Sequence, residues 1–394
     1  MSFTRRDFLR ATLGAPAFLS LGRTALSQSR RDTVLVVIQL TGGNDGLNTV
    51  VPYGDDEYAR NRTTLRLPTG ELHKIDSLLA FHPRMEAFLR LYKEGRLSIV
   101  QGVGYARTDG DHDRAMRVWH TADPDPSRRP TGWLGRVADH LLSIAPMDTG
   151  AVFVGPIARP FALNAEHAVV PSLRSAQDLI LRTQQQEQPS YQADDALLQF
   201  LRQSCQDACV KSNRLQSVVE SGSGVGGYPP FGLAGDLRTI AQLIRADLGI
   251  RVFFAELGGG GIGGFDNHAN QLGNHCAVLH QLAESVAAFI EDLQRDGTLD
   301  RVLLMTFSEF GRTVRENGRR GTDHGAAAPL FLAGGRVKGG FVGTHPSLND
   351  LDHGALKVHI DFRRVYATVL DQWLGLDSRT ILGGRFEPLD VLQT

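Results

Sequence analysis

The chain has 394 residues, with 42 Lys or Arg and 43 Asp or Glu, so its formal net charge is −1. Near-neutrality argues against a nucleic-acid-binding protein, which would show a basic excess. No apolar run reaches the ~18 residues that a membrane span needs, and three cysteines are too few for a disulfide scaffold. The length suits one large α/β domain with an insertion.

The first 27 residues have the pattern of an export signal. Arg5 and Arg6 stand before a short apolar stretch, residues 11–21, and small residues follow it. Paired arginines in this setting resemble a twin-arginine (Tat) signal, although a basic amphipathic first helix is the alternative. We therefore expect export by the Tat translocase to the periplasm or beyond, and a mature domain of residues 28–394.

Strands and helices alternate along the mature chain. Apolar runs predict buried strands, and apolar residues at helical spacing predict amphipathic helices. In chain order we predict a strand over 32–40, a helix around 81–92, strands over 97–103, 151–154 and 252–257, a helix over 272–293, strands over 302–307 and 330–333, and a helix over 362–374. This order predicts a three-layer α/β sandwich with a mostly parallel central sheet. Residues 181–232 read as a partly helical insertion or cap between polar linkers.

The first strand is followed by a glycine-containing segment, residues 41–48, that presents Asn44 and Asp45 at the end of the strand. An ionised Asp is an oxygen ligand for a metal ion, so Asp45 is a candidate ligand. The alternative is an Asx turn, in which these side chains close their own loop.

The second segment, residues 104–113, follows the second strand and contains Asp111 and His112 just before a helix that we predict to begin near Arg114. The start of a helix offers backbone N–H donors and a positive dipole end, which suit a nucleophile or a bound oxyanion. The alternative is that Asp111 or Asp113 only caps the helix.

The third segment, residues 258–268, is rich in glycine and delivers Asp266 and His268 before the long predicted helix. An Asp and a His two residues apart suit a divalent cation such as Zn²⁺ or Mn²⁺. Alternatively, Asp266 or Asn267 caps the helix and His268 is a surface residue.

The fourth segment lies between the strands over 302–307 and 330–333. Glu309 could ligate a metal or act as a base, and Arg312 offers a bidentate fork to a phosphate, sulfate or carboxylate. A basic loop, residues 315–320, then leads to the adjacent Asp323 and His324, which look like a pair of ligands. A structural ion pair of Glu309 with Arg312 is the alternative.

These segments resemble the motifs of the Domain of Unknown Function 1501 family, whose members are similar to the alkaline phosphatase/sulfatase superfamily. The matching stretches are residues 42–48, 119–122, 264–271, 308–312 and 321–325. The resemblance covers essentially the whole mature chain and implies an alkaline phosphatase-like fold with a metal site.

The resemblance implies six metal ligands: Asp45, Asp266, His268, Glu309, Asp323 and His324. Two alignments remain open, because either Glu309 or the pair Asp323–His324 could occupy the superfamily's Asp-His position. Zn²⁺ or Mn²⁺ is the expected ion, and Ca²⁺ or Mg²⁺ also suits such mixed ligands. The implied substrate is an anionic small molecule or polymer, which Arg312 would orient.

The chain departs from the resemblance at the nucleophile. Relatives usually have Ser-His-Phe where this chain has Asp111, His112 and Asp113. Thr108 or Asp111 could attack instead, or a metal-activated water could do so. Two hypotheses follow: an exported metal-dependent hydrolase of phosphate or sulfate esters, or a non-catalytic periplasmic binding or assembly protein on the same fold.

Overall fold

The structure is a computed structural model that describes residues 32–106, 108–145, 149–173, 227–258 and 264–393. The predicted export signal, residues 1–27, lies outside these ranges, as do residues 181–226 of the predicted insertion. Among the helices of the described ranges, none is both long enough and apolar enough to cross a bilayer.

The described strands include a large central sheet and two small ones. In chain order the strands are β1 (Val34–Leu40), β2 (Val50–Val51), β3 (His73–Lys74), β4 (Ala80–Phe81), β5 (Leu97–Gly104), β6 (Ala151–Val154), β7 (Ser172–Leu173), β8 (Val252–Leu257), β9 (Val302–Ser308), β10 (Ala328–Gly334), β11 (Gly340–Val342), β12 (Leu351–Asp352), β13 (Ala355–Leu356) and β14 (Ile360–Asp361). The central sheet has the order β11-β5-β10-β9-β1-β8-β6-β7, with β14 also paired to β5.

Helices cover both faces of this sheet. They are α1 (Asp56–Asn61), α2 (Glu86–Lys93), α3 (His112–Thr121), α4 (Trp133–Ile144), α5 (Gly232–Arg245), α6 (Gln271–Arg295), α7 (Phe362–Thr368) and α8 (Ser378–Leu382), with a π-helical segment over Val369–Leu374. Alternate side chains of β1 enter two cores: Val36 and Ile38 pack with α2, α5 and α6, whereas Leu35 and Val37 pack with α3, α4 and α7. The predicted three-layer α/β sandwich is confirmed.

The sheet is mostly parallel, as predicted, with one exception near the site. β1 pairs in parallel with β8 and β9, whereas β10 runs antiparallel to β5 and β9. No helix lies between β9 and β10, and a parallel return would need a crossover connection, which is usually helical. The end of β9 and the start of β10 therefore share the edge where the parallel strands β1, β5 and β8 end.

The start of α6 differs from the prediction. The helix begins at Gln271 and its N-cap position is Asn270, in the left-handed conformation with φ 44° and ψ 44°, which Asn adopts more readily than most residues. The expectation that Asp266 or Asn267 caps α6 is wrong. Both residues lie in the preceding loop, which leaves the Asp266 side chain free for other contacts.

Candidate metal centre

Three loops meet at the edge where the parallel strands end. One leads from β5 into α3 and ends at His112, and a second leads from β8 to α6 and carries Asp266 and His268. The third joins β9 to β10 and carries Asp323 and His324. Residues far apart in the sequence are thus brought to one place by the parallel topology, as expected for an α/β sheet.

Four of these side chains converge on one point. The Nε2 atoms of His268 and His324 lie 2.8 Å apart, and they lie 3.0 Å and 3.3 Å from Oδ1 of Asp266. Nε2 of His112 lies 3.6 Å from the same oxygen. Ligand atoms of His112, Asp266 and His324 all lie within 4.8 Å of one another.

Each of the three histidine rings has an oxygen atom beside its other nitrogen, Nδ1. The three contacts are His112 Nδ1 to Glu309 Oε1 at 2.8 Å, His268 Nδ1 to Asp323 Oδ1 at 3.3 Å, and His324 Nδ1 to the Gly110 carbonyl oxygen at 2.5 Å. A carboxylate or a carbonyl oxygen only accepts hydrogen bonds, so each Nδ1 must carry the proton and donate. In a neutral ring, Nε2 then holds a lone pair.

In their neutral forms, His268 and His324 therefore face each other with the lone pairs of their Nε2 atoms, next to the Asp266 carboxylate. Such an arrangement is repulsive unless a proton is shared by the two rings or a metal ion binds beside these atoms. Neutral imidazoles whose Nδ1 is held by an oxygen acceptor are the usual protein ligands of transition metals. The group of His112, Asp266 and His324 could hold one divalent metal ion, and His268 lies beside it.

Protons compete with such an ion unequally at His112 and His324. The hydrogen bond to Glu309 raises the pKa of His112 above its ordinary value of 6.5, whereas burial lowers the pKa of His324. Partial burial opposes ionisation of Asp266, but the hydrogen bond and the charge of the Arg312 guanidinium hold its pKa below 3.8. At neutral pH, Asp266 and His324 are therefore already in the forms that bind a metal.

Glu309 and Asp323 contact the histidines rather than the point of convergence. Glu309 is buried, and its Oε1 accepts hydrogen bonds from His112 and from the Gly42 backbone N–H at 2.9 Å. Asp323 accepts from His268 and from Asn317 Nδ2 at 3.0 Å. These contacts orient the rings, the role that carboxylates commonly have around metal-binding histidines.

Asp45, another predicted ligand, lies in a separate buried contact. Its two carboxylate oxygens accept hydrogen bonds from Arg62 at 2.6 Å and 2.9 Å, and Gln271 Nε2 donates to Oδ2 at 2.5 Å. Burial opposes ionisation, yet the Arg62 guanidinium holds the pKa of Asp45 below its usual value. A guanidinium thus occupies the position beside Asp45 that the resemblance assigned to a metal ion.

Arg312 also has a different setting from the one expected. Its side chain is fully buried, and its guanidinium donates to Asp266 Oδ1 at 2.7 Å. The remaining donors contact backbone carbonyl oxygens of the neighbouring loops, those of Gly42, Gly43, Phe265 and Thr322. Arg312 therefore fixes the loops and Asp266 in place, and its guanidinium does not face the solvent where an anionic substrate would bind.

Glycines allow these loops to approach one another. Gly42 has φ +112°, and a Cβ there would lie 2.4 Å from the backbone nitrogen of Asp266. A Cβ on Gly321 would lie 2.2 Å from the carbonyl carbon of His268. Any larger residue at either position would push the ligand loop away from its neighbours.

The candidate nucleophiles make local contacts within the loop before α3 and the first turn of α3. Asp111 is the N-cap of α3, and its carboxylate accepts a hydrogen bond from the Arg114 backbone N–H at 2.8 Å. Thr108 lies on the wall of a cleft, with its Oγ1 3.4 Å from both the Tyr105 hydroxyl and the Gly110 backbone nitrogen. The structure thus gives Asp111 a capping contact and presents Thr108 to the cleft.

That cleft has a volume of about 840 Å³ and reaches the candidate metal centre. Its two walls are the loop before α3 and the hairpin β12–β13 with the residues that follow it. The polar residues along it include Thr108 and Asp109 on one wall, His268, Asp323 and His324 at the centre, and Asp352, His353 and Lys357 on the other wall. A polar substrate group can therefore approach the centre from solvent.

Two residues of the site were not singled out in the sequence. Arg62 follows α1 and carries no motif, so nothing local indicates that it pairs with Asp45. Gln271 lies within a matched motif, but no role in the site was predicted for it. Its side chain links Asp45 to Thr322, because Nε2 donates to Asp45 and Oε1 accepts from Thr322 Oγ1 at 2.7 Å. His112 was placed among catalytic candidates, whereas its Nε2 lies among the ligand atoms.

Several solved structures share similarity with the chain at low identity. They include the lipoteichoic acid synthase LtaP from Listeria monocytogenes (10% identity, 76% of this chain and 65% of that chain, TM-score 0.36). A second is the C-terminal periplasmic domain of EcEptC from Escherichia coli in complex with Zn (10% identity, 77% of this chain and 73% of that chain, TM-score 0.35). A third is the PsFucS1 sulfatase from Pseudoalteromonas sp. (10% identity, 93% of this chain and 72% of that chain, TM-score 0.38). The chain thus spans 65% of the length of the first of these proteins.

No curated protein matches the sequence. A family described as "Protein of unknown function (DUF1501)" matches residues 235–386. The matched part contains Asp266, His268 and His324 together with Glu309 and Asp323. The resemblance to the Domain of Unknown Function 1501 family, identified from the motifs, is thereby confirmed over residues 235–386.

Proposed function

We propose that the protein is an exported, metal-dependent hydrolase of phosphate or sulfate esters. The observation that carries the proposal is the convergence of three histidine Nε2 atoms on the Asp266 carboxylate, with each Nδ1 held by an oxygen. A divalent cation bound there supplies Lewis-acid polarisation of a phosphoryl or sulfuryl oxygen and makes water more acidic.

The donor set favours one Zn²⁺ or Mn²⁺ ion for each chain. Imidazole nitrogens suit Zn²⁺ and Mn²⁺ better than Ca²⁺ or Mg²⁺, which prefer oxygen ligands. A second ion beside Asp45 would have to displace the Arg62 guanidinium, which is buried and bound to both carboxylate oxygens. We therefore expect one metal equivalent rather than two.

The remaining residues of the site would bind and position the substrate. The cleft admits an ester group to the centre, and Thr108 offers a hydroxyl on the cleft wall. Glu309 and Asp323 would keep His112 and His268 in the orientation that directs Nε2 towards the ion. Arg312 would hold Asp266 ionised and in place.

The test combines metal analysis with turnover assays. Purified mature protein should contain close to one Zn²⁺ or Mn²⁺ per chain and should hydrolyse at least one member of a panel of aryl phosphates, phosphodiesters and aryl sulfates. His324→Ala should lose both the metal and the activity. His140→Ala, which alters an exposed histidine on α4, is the matched control and should lose neither. A metal-free and inert wild-type protein would refute the proposal.

Thr108→Val separates two routes of attack. If the Thr108 hydroxyl is the nucleophile, this variant should retain its metal and lose turnover. If water attacks directly, turnover should persist in Thr108→Val. Thr108→Ser retains a hydroxyl and should remain active under either route, so an inactive Thr108→Ser would indicate a disturbed loop.

A non-catalytic binding protein is the second candidate function. The observation that favours it is the position of Asp111, because a capping carboxylate stands where relatives have a hydroxyl. In that case the protein would bind one metal ion and an anionic ligand without turnover on any ester of the panel. Metal binding combined with inertness would therefore support this candidate.

A further inference from the structure

A cluster of exposed arginines lies beside the candidate metal centre. We call it the basic rim, and it consists of Arg66, Arg315, Arg319 and Arg320. All four are exposed, and among the described residues none of them forms an ion pair. By contrast, nearby Arg60 is paired with Glu57, and the buried Arg62 and Arg312 form ion pairs with Asp45 and Asp266. The proposed function assigns no role to these four charges.

Hydrogen bonds join the two loops that carry the basic rim. The Glu316 carboxylate accepts from the backbone N–H groups of Thr64 and Leu65 at 2.9 Å and 2.7 Å, and from the Thr63 hydroxyl at 2.5 Å. Arg66 is therefore held next to the loop over residues 315–320. Glu316 is the one acidic residue of that loop, and its carboxylate is hydrogen-bonded to residues 63–65 rather than paired with an arginine of the rim.

The loop over residues 315–320 is also fixed to the metal centre. Asn317 Oδ1 accepts from the backbone N–H groups of Arg319 and Gly321, while its Nδ2 donates to Asp323 and to the His268 carbonyl oxygen at 3.1 Å. The backbone carbonyl of Arg320 accepts from the Gln271 N–H at 2.9 Å. These contacts fix the backbone from which the Arg319 and Arg320 guanidinium groups project.

The basic rim borders the cleft without lining it. The cleft is lined by residues 105–110 and 352–358 together with His268, Asp323 and His324. The loop of the rim does not line the cleft, yet it contacts His268 and Asp323 directly. The rim therefore adjoins two of the residues that line the cleft, and a linear molecule that leaves the cleft past His268 and Asp323 would meet the rim.

We propose that the basic rim binds anionic groups of a linear polymer that carries several sulfate or phosphate groups. An exposed, unpaired guanidinium binds such groups through charge and bidentate hydrogen bonds. The further statement that one ester of the polymer lies at the metal centre rests on the proposed function. A polymer fits this arrangement better than a membrane surface, because a flat bilayer on the rim would not extend into the cleft.

Binding of fluorescein-labelled sulfated dextran to the metal-loaded protein tests the proposal without requiring turnover. The double variant Arg319→Ala/Arg320→Ala should bind the polymer about tenfold more weakly, since two exposed ion contacts are lost. Its affinity should also depend less steeply on salt concentration. Unchanged affinity or an unchanged salt dependence would overturn the proposal.

Lys93→Glu is the matched control, because it lowers the net charge by the same two units as the double variant. Lys93 is exposed at the end of α2, before β5 begins, and so lies at the sheet edge opposite the site. The Lys93→Glu variant should bind the polymer with the same affinity as the wild type. An equal loss of affinity in Lys93→Glu would mean that only net charge matters, which would overturn the proposal.

Three further outcomes distinguish the rim proposal from the alternatives. If phosphatidylglycerol vesicles bind in a rim-dependent manner while sulfated dextran does not, a lipid surface is the partner and the polymer proposal fails. If the rim binds the polymer but no ester is hydrolysed, the rim proposal holds and the hydrolase proposal fails. If small esters are hydrolysed and polymer binding ignores the rim, only the rim proposal fails.

Discussion

Replacing Arg62 by Met should destabilise the protein strongly, because it leaves Asp45 as a buried carboxylate without a counter-ion. Arg62 is fully buried and donates to both oxygens of Asp45 and to the carbonyl oxygens of Thr313 and Val314. Breaking a buried ion pair from one side costs about 3–5 kcal/mol, and each orphaned carbonyl adds about 1 kcal/mol. We expect the free energy of unfolding to fall by about 5–7 kcal/mol.

Urea unfolding followed by tryptophan fluorescence at pH 8 measures this loss, provided that the slope with denaturant stays constant. Asp45→Asn in the Arg62→Met background should restore about 2 kcal/mol, since it removes the uncompensated charge. The double variant also keeps the prediction testable if Arg62→Met alone does not fold. A loss below about 1 kcal/mol in Arg62→Met, or no recovery in the double variant, would refute the assignment of Arg62 as the partner of Asp45.

Three other predictions concern stability, metal affinity and export. Burial lowers the pKa of His120 from 6.5 to about 3. Below pH 6.5 the unfolded chain therefore binds a proton at His120 that the folded chain does not bind, and the free energy of unfolding falls as the pH falls. Between pH 6.5 and 5 this amounts to about 2 kcal/mol, and His120→Gln should remove that part of the decline in urea unfolding. Glu309→Gln should weaken metal binding about 10- to 100-fold in a chelator competition, because His112 loses its orienting carboxylate; unchanged affinity would argue against that role. Arg5→Lys/Arg6→Lys should leave the protein in the cytoplasm on cell fractionation, and undiminished export would rule out the Tat route.

Sequence patterns predicted the architecture well where burial on both faces determines residue type. β1, β5, β8 and β9 are continuous apolar runs because helices cover both faces of the sheet, and their bounds agree with prediction to within a few residues. The antiparallel direction of β10 was also predictable, because the sequence between β9 and β10 shows no pattern of a crossover helix.

The candidate site was predictable as a set of loops but not as a set of contacts. Asp45 and Asp266 have the same appearance in sequence, each on a glycine-bounded loop after a strand. Only the fold places Arg62 beside Asp45 and three histidines beside Asp266. Likewise, Glu309 and His112 could each have been the ligand, and which of them faces the point of convergence depends on the position of α3 relative to β9.

The three ligand-bearing loops belong to segments separated by more than 150 and more than 50 residues, as the numbers of His112, Asp266 and His324 show. An ion held by all three would act as a covalent cross-link does, closing long loops and lowering the entropy of the unfolded chain. We therefore expect removal of the ion to increase the rate of proteolysis within the three ligand-bearing loops. Resistance to a protease would then report the metal occupancy of the protein, independently of any substrate.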